Sequence, residues 1–257
     1  MEPLYGLVAV LLRRPLRHGL RWAVEGIERI PSEGPVLLAC NHISYFDPLS
    51  LCYVADLAGR KARFLAKAEL FESWWFGPYM REVRSIPVER GTGDSSSLDA
   101  AGAALAAGEL VVVFPEGTIS PDLEPMAGKT GTARLARATG VPVLPLGLWG
   151  SHRVITLGHE TAHKTARRPG VAISAVVGEP VVVGPKDNPR ESTDRIMAAI
   201  CASVGRARQI YPQVPRGEAD TWWARRPETA RLRSCRGRVA QQLIDEAAGM
   251  AQPPTGA

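Results

Sequence analysis

The amino-acid sequence predicts an α/β layered fold, with a central, mostly parallel or mixed sheet flanked by helices. Short apolar runs rich in valine and leucine alternate along the chain with longer stretches of helical spacing. Several of these runs are apolar enough to be buried on both faces, as parallel strands are. With 257 residues, 45% of them hydrophobic and 22% charged, the chain suits one globular domain with short attachments and excludes a disordered chain.

The first 29 residues are predicted to be helical, as one helix or two short ones. An apolar run at residues 3–12 is followed by arginines that are interleaved with leucine and tryptophan. Helices that lie in the headgroup layer of a membrane have this composition, and so do amphipathic helices that pack on their own core. The pattern alone leaves both interpretations open. A cluster of breaker residues at 30–35 then marks the start of the main domain, which we place at residues 30–213.

Strands and helices alternate through the main domain. Strands are predicted at residues 35–40, 62–66, 85–88, 110–114, 143–148 and 171–177. Helices are predicted between them, at residues 48–58, 69–79, 95–107, 129–139 and 191–204. Residues 214–257 form a basic extension in which Trp222 and Trp223 suit either a membrane-interface anchor or a helix that closes over the core.

Charge and cysteine content restrict the class of function. The chain has 31 basic and 26 acidic residues, a net charge of +5, which favours an anionic surface or substrate. Its four cysteines form no C-x-x-C pair, so a disulfide framework is not indicated and a reducing, cytosolic setting is expected.

No stretch reaches the roughly 20 apolar residues of a spanning helix. We expect no nucleic-acid partner, because no such module is recognisable, and no metal, because His159 and His163 lack a third ligand nearby.

The most informative segment runs from Asn41 to Pro48, where a predicted strand leads into a polar turn and then a helix. Extended chain would separate His42 from Asp47 by about 16 Å, so their side chains can meet only if the turn curls back. Asp47 before Pro48 is a strong helix start, with the aspartate at the N-cap. One carboxylate oxygen could then cap the helix while the other accepts a hydrogen bond from His42, which would leave the second ring nitrogen basic.

A histidine held in this way can take the proton from an alcohol while that alcohol attacks a carbonyl carbon. The protein then needs no serine or cysteine nucleophile, because the substrate hydroxyl attacks directly. The same spacing also occurs where a buried histidine makes an ordinary hydrogen bond to a capping aspartate. The spacing by itself therefore leaves both interpretations open.

A second polar loop follows the predicted strand at 110–114. Because loops at the carboxyl ends of parallel strands converge on one crevice, residues 114–118 could share a site with His42. Gly117 would permit close approach of a ligand to the backbone, and Glu116 could accept hydrogen bonds from substrate hydroxyls. Taken alone, such a sequence is more often only a turn.

Four segments in order resemble the motifs of the glycerolipid acyltransferase family, typified by the bacterial 1-acyl-sn-glycerol-3-phosphate acyltransferases. Residues 41–47 look like its N-H-x4-D block, residues 67–70 through 86–90 like the second, residues 114–118 like the third and residues 141–146 like the fourth. The stretch at 129–136 also follows the family pattern, and the likeness covers about residues 24–182.

The resemblance implies transfer of a fatty acyl group from a thioester of coenzyme A or acyl carrier protein to the free hydroxyl of lysophosphatidic acid, which gives phosphatidic acid. It makes His42 the general base, Asp47 its partner and Lys67 a residue near the thioester oxyanion. The positions that it assigns to acceptor binding are Arg90, Glu116, Gly117 and Thr118. It implies no metal, no covalent acyl-enzyme and no cofactor besides the acyl-CoA or acyl-carrier-protein co-substrate.

One departure from the family pattern concerns the acceptor. The third block usually continues with arginine after the threonine, where this chain has Ile119, which offers no donor to a phosphate. The candidate replacements for this phosphate contact are Arg84, Arg90, Lys129 and Arg153. Alternative interpretations are therefore the same chemistry on glycerol-3-phosphate, another lysophospholipid or a glycolipid, or an inactive membrane-docked lipid-binding protein.

Lipid substrates of this kind reside in bilayers, so an enzyme without a spanning helix must dock on one. With the resemblance in view, residues 1–29 are interpreted as an amphipathic helical segment that docks on an anionic phospholipid surface. The expected location is peripheral, on the cytoplasmic face of the cell membrane.

Overall fold

A computed structural model describes residues 16, 18–72, 74, 76–82, 84–88, 96–155 and 170–224. These residues form a seven-stranded mixed sheet with helices on both faces, which confirms the predicted α/β class. Within the described part of the chain, none of the helices combines the length and apolar character needed to cross a bilayer.

The strands predicted within the main domain are all present, and none of their ends differs from the prediction by more than one residue. The strands are β1 (Leu20–Glu25), β2 (Val36–Cys40), β3 (Ala62–Lys67), β4 (Ile86–Val88), β5 (Leu110–Val113), β6 (Val143–Trp149) and β7 (Val171–Val177), in the sheet order β1-β7-β6-β2-β5-β3-β4. Neighbouring strands are parallel except for β6 and β7, which are antiparallel.

The predicted helix at the N-terminus is wrong for residues 20–25, which form β1. This strand lies parallel to β7 at the edge of the sheet, with Leu20 paired to Val171 and Glu25 to Val176. Leu20, Trp22 and Val24 alternate along it and pack against the core. An amphipathic sequence of this length fits both periodicities, and hydrogen bonding to a distant strand selects the extended form. Residues 16, 18 and 19 are helical, and residues 1–15 and 17 of the predicted docking segment lie outside the described residues.

The helices largely follow the predicted positions. They are α1 (Asp47–Leu57), α2 (Glu69–Glu72), α3 (Phe76–Glu82), α4 (Ser96–Ala106), α5 (Gly131–Thr139) and α6 (Pro189–Gln209), and single 3-10 turns lie at Ile27–Arg29, Ser151–Arg153 and Glu218–Asp220. The helix predicted at 69–79 is thus two short helices. α6 is longer than predicted, and it begins where the Asn188 side chain accepts a hydrogen bond of 2.8 Å from the Arg190 N–H.

Alternate residues of β2 face two separate hydrophobic cores. Val36, Leu38 and Cys40 share one core with residues of α1, whereas Leu37 and Ala39 share the other with residues of α4, α5 and α6. β2 is therefore buried on both sides, as expected of a central strand. Its parallel neighbours β5 and β6 end at the same edge of the sheet, so the segments that follow these three strands meet there.

Candidate active site

The loop after β2 curls back and brings His42 and Asp47 together. His42 Nδ1 lies 2.8 Å from Asp47 Oδ2. The same oxygen accepts the N–H groups of Ile43, at 2.7 Å, and Ser44, at 2.8 Å. The Asp47 side chain is fully buried, so these bonds replace the water that it loses.

Asp47 does not cap its helix in the way that the sequence predicts. It is the first residue of α1, Phe46 occupies the N-cap position, and no side chain caps the helix there. One oxygen, Oδ2, serves both His42 and the backbone, because the turn at 43–46 folds its own N–H groups over the carboxylate.

The other carboxylate oxygen binds a residue that the sequence did not reveal. Asp47 Oδ1 accepts a hydrogen bond of 2.6 Å from the hydroxyl of Ser151, in the segment that follows β6. The available signal was a Gly-Ser pair directly after a buried strand, at the edge of the sheet where His42 was expected. Without the strand order, nothing in the sequence connects two residues that lie 104 positions apart.

The His42 ring is held on its other side by an aromatic contact. It stacks on Phe114, which follows β5, with ring centroids 4.1 Å apart and planes inclined by 18°. The His42 main chain is fixed as well, since its carbonyl accepts the Ser120 N–H at 2.7 Å. The side chain is 16% exposed. With Nδ1 committed to Asp47, Nε2 is the nitrogen left for a substrate hydroxyl.

Glu116 joins the two loops of the site. It is 4% exposed, and its oxygens accept the N–H groups of His42 and Met126, both at 2.9 Å. Burial raises the pKa of Glu116 to about 8, although the two backbone hydrogen bonds act in the opposite direction. A substrate hydroxyl would have to share oxygens that these main-chain groups already occupy.

The remaining predicted residues of this loop lie at its surface. Gly117 has a φ of 71°, and a Cβ built there would lie 3.0 Å from Lys129 Nζ, so the lysine side chain lies across the glycine. Lys129 and Thr118 are exposed. Ile119, which replaces the family's arginine, is 8% exposed and thus part of the interior.

Two of the predicted phosphate contacts have protein partners in the structure. Arg84 precedes β4 and forms an ion pair of 3.0 Å with Glu109, which precedes β5. Both residues lie at the amino ends of parallel strands, which is the edge of the sheet opposite to the one where His42 lies. Arg153 is buried, and it donates hydrogen bonds to Tyr211 and Gln213, at 2.9 and 2.6 Å. Its guanidinium group therefore ties the C-terminal segment to the loop after β6.

Several predicted residues are only partly covered or not covered by the structure. Lys67 is the last residue of β3, paired with Val88, and ends its strand at the edge where His42 lies, but its side chain is outside the described part. Arg90, His159 and His163 also lie outside the described residues.

Cys40, the last residue of β2, is the thiol next to the pair. It is fully buried, and burial raises its pKa well above the usual value, with the charges of Asp47 and Glu116 adding to the effect. A thiol in this state is a poor nucleophile. Burial thus disfavours Cys40 as the site of a covalent intermediate.

Fold and site together define the class: an α/β protein with a hydrogen-bonded His–Asp pair at the carboxyl edge of its sheet, a geometry that is chemically capable of general base catalysis. The model of the acyltransferase family matches residues 21–149, just over half of the chain. The chain therefore belongs to the acyltransferase family, which confirms the resemblance seen in the four motifs.

Individual relatives agree with this assignment. A 1-acyl-sn-glycerol-3-phosphate acyltransferase of Bacillus subtilis is 28% identical over 52% of this chain and 65% of its own length. A lyso-ornithine lipid O-acyltransferase of Rhizobium meliloti is 38% identical over 51% of this chain and 42% of its own. The chain thus spans less than two thirds of either relative. The crystal structure of the 1-acyl-sn-glycerophosphate acyltransferase PlsC of Thermotoga maritima matches with a TM-score of 0.59 at 29% identity, covering 73% of this chain and 72% of that one.

Proposed function

We propose that this protein transfers a fatty acyl group from a thioester of coenzyme A or acyl carrier protein to the free hydroxyl of lysophosphatidic acid, giving phosphatidic acid. The observation that carries the proposal is the 2.8 Å contact between His42 and Asp47 in a member of the acyltransferase family. Relatives named 1-acyl-sn-glycerol-3-phosphate acyltransferases support the acceptor.

In this mechanism His42 Nε2 takes the proton of the acceptor hydroxyl as its oxygen attacks the thioester carbonyl. The tetrahedral intermediate collapses and expels the thiolate, and the proton passes from His42 to the sulfur. The Asp47 carboxylate stabilises the imidazolium that exists between the two transfers. We assign Lys67 to the oxyanion and Arg90, Glu116, Gly117 and Thr118 to the acceptor, as the family resemblance implies.

The lipid acceptor requires contact with a membrane, and we assign that contact to the basic N-terminal segment. Its arginines and its apolar run suit the headgroup layer of an anionic leaflet. The protein then works as a peripheral enzyme on the cytoplasmic face of the membrane.

The reaction is tested by incubating the purified full chain with acyl-CoA or acyl carrier protein thioester and lysophosphatidic acid. We expect release of free thiol that depends on the acceptor, and mass spectrometry should detect phosphatidic acid in equal amount. Absence of both thiol and acylated product with every acceptor would contradict the proposal and favour a lipid-binding role.

A second candidate function uses the same chemistry on a lysolipid that has no phosphate. Ile119 is buried where the family has arginine, and two of the substitute cations, Arg84 and Arg153, are engaged elsewhere. The name of one relative, lyso-ornithine lipid O-acyltransferase, supports such an acceptor. Lyso-ornithine lipid is therefore the alternative substrate to test.

Competition between purified acceptors separates the two candidates. If phosphate binding matters, Lys129→Ala should raise KM for lysophosphatidic acid by roughly ten-fold, the loss of one charge-assisted hydrogen bond, and leave KM for lyso-ornithine lipid unchanged. The matched control is Lys186→Ala, which removes another exposed lysine. Lys186 follows Val181, and Val181 pairs with Val143 at the amino end of β6. Faster acylation of lyso-ornithine lipid by the wild type would favour the second candidate.

A further inference from the structure

We propose that Ser151 is a positioning residue of this active site, which acts through the carboxylate of Asp47 and not on the substrate. Its effect on catalysis rests on the proposed function. Its effect on the His–Asp pair can be measured without turnover.

The carboxylate of Asp47 is held from two directions. Oδ2 takes its donors from the loop after β2, namely His42 Nδ1 and the N–H groups of Ile43 and Ser44. Oδ1 takes the Ser151 hydroxyl, at 2.6 Å, from the segment after β6. Donors on one oxygen alone leave the carboxylate free to tilt about that oxygen, and a bond to the second oxygen prevents the tilt. Ser151 thereby sets the direction in which Oδ2 meets the imidazole.

Ser151 is itself fixed by its surroundings. It begins the 3-10 turn after β6 and is fully buried. The Ser44 hydroxyl lies 3.1 Å from the Ser151 carbonyl oxygen and also contacts the Ile155 carbonyl, so a second polar contact joins the two loops. Gly150 has a φ of 96°, and a Cβ there would lie 2.3 Å from the carbonyl oxygen of Ala172, so the turn requires glycine. A hydroxyl held this firmly suits a role in alignment.

Removal of the hydroxyl should change how the pair binds protons. The titratable groups around Asp47 are His42 on its own loop, Glu116 from the loop after β5 and Cys40 at the end of β2, with His152 and Arg153 beside Ser151. In Ser151→Ala the ionised carboxylate loses one donor, and a buried oxygen is left without that partner. Proton binding by the pair then becomes more favourable, so the acidic limb of the pH–rate profile should move to higher pH.

The test compares wild type, Ser151→Ala and Ser174→Ala. Ser174 is an equally buried serine whose hydroxyl donates a bond of 2.6 Å to the Ala207 carbonyl and none to the pair, so it controls for the loss of a buried hydroxyl. For Ser151→Ala we expect kcat to fall by roughly ten-fold with little change in KM, because only alignment is lost. The acidic limb should shift upward in that variant alone, and Ser151→Thr, which keeps the hydroxyl, should recover part of the rate.

A second readout does not depend on the reaction. The proton NMR signal of the His42 ring N–H that is hydrogen-bonded to Asp47 should move or broaden in Ser151→Ala and stay in place in Ser174→Ala. An unchanged signal together with an unchanged pH profile would overturn the positioning role. If wild type acylates no lysolipid, the proposed function fails, and the NMR comparison alone still decides the role of Ser151.

Discussion

The two buried carboxylates of this site differ in the hydrogen bonds that they accept. Asp47 and Glu116 are both buried, but Asp47 accepts hydrogen bonds on both oxygens from four donors, including the His42 ring. Within the described residues Glu116 accepts two hydrogen bonds, both from backbone N–H groups, and its pKa rises to about 8. The two carboxylates thus suit different tasks, Asp47 as the hydrogen-bonded partner of His42 and Glu116 as a neutral connection between loops near neutral pH.

The pKa of Glu116 predicts a pH dependence of folding. From about pH 4.5 to about pH 8 the unfolded chain releases the Glu116 proton while the folded protein keeps it, so stability falls as pH rises. The loss attributable to this group is complete above about pH 8 and is on the order of 5 kcal/mol. Urea unfolding across this range should show a shallower decline for Glu116→Gln, which has no proton to lose. Parallel curves for wild type and variant would contradict the assignment.

Among the elements, β6 and α6 make a contact that demands glycine. A Cβ at Gly147 would lie 2.2 Å from the main-chain carbon of Ser203 and from the nitrogen of Val204. The absence of a side chain there lets the helix pack directly on the backbone of the strand. α6 therefore supports the carboxyl end of β6, which leads to Ser151.

This packing predicts opposite effects for two glycine substitutions. Gly147→Ala forces α6 away from the sheet and should lower the free energy of unfolding by about 3 kcal/mol or more. Gly205→Ala, within α6 and with nothing within 4 Å of the added Cβ, should raise it by about 0.5–1 kcal/mol. Chemical denaturation of both variants measures the difference. Equal stability of the two would show that the close contact is not a feature of the folded protein.

The sequence predicted the central elements well because buried parallel strands are continuous apolar runs. β2, β5 and β6 were found for this reason, and the polar residues that follow β2 and β5 were correctly placed at one edge. The prediction was wrong for β1, because its amphipathic pattern is resolved only by pairing with β7, about 150 residues later. Ser151 and the stacking of Phe114 on His42 escaped prediction for the same reason, since both are contacts between distant loops.

At the scale of the whole molecule, the C-terminal segment holds the loop after β6 in place. Trp223 is buried, and the Arg153 guanidinium lies 4.2 Å from the centre of its ring. Tyr211 donates a hydrogen bond of 3.0 Å to the Ala172 carbonyl on β7. Trp223 therefore packs in the interior, as a segment that closes over the core would place it, and does not act as the membrane-interface anchor that the sequence also allowed. The proposed membrane contact therefore stays with the N-terminal segment.

Removal of residues 1–15 should abolish binding to vesicles that contain anionic lipid. The deletion must stop there, because the Leu16 carbonyl accepts a hydrogen bond of 2.7 Å from Trp22 and β1 begins at Leu20. Co-sedimentation with liposomes should move from pellet to supernatant, while the thermal melt stays unchanged. Sedimentation equal to that of the full chain would show that another surface binds the membrane.

The central claim is that His42 is the base that takes the proton of the acceptor hydroxyl. Its most direct test is acceptor-dependent thiol release from an acyl thioester, compared among wild type, His42→Ala and the control Lys186→Ala, which alters an exposed residue outside the site. We expect His42→Ala to lose at least about 100-fold in rate with an unchanged thermal melt, and Lys186→Ala to match wild type. Equal rates for wild type and His42→Ala would contradict the mechanism.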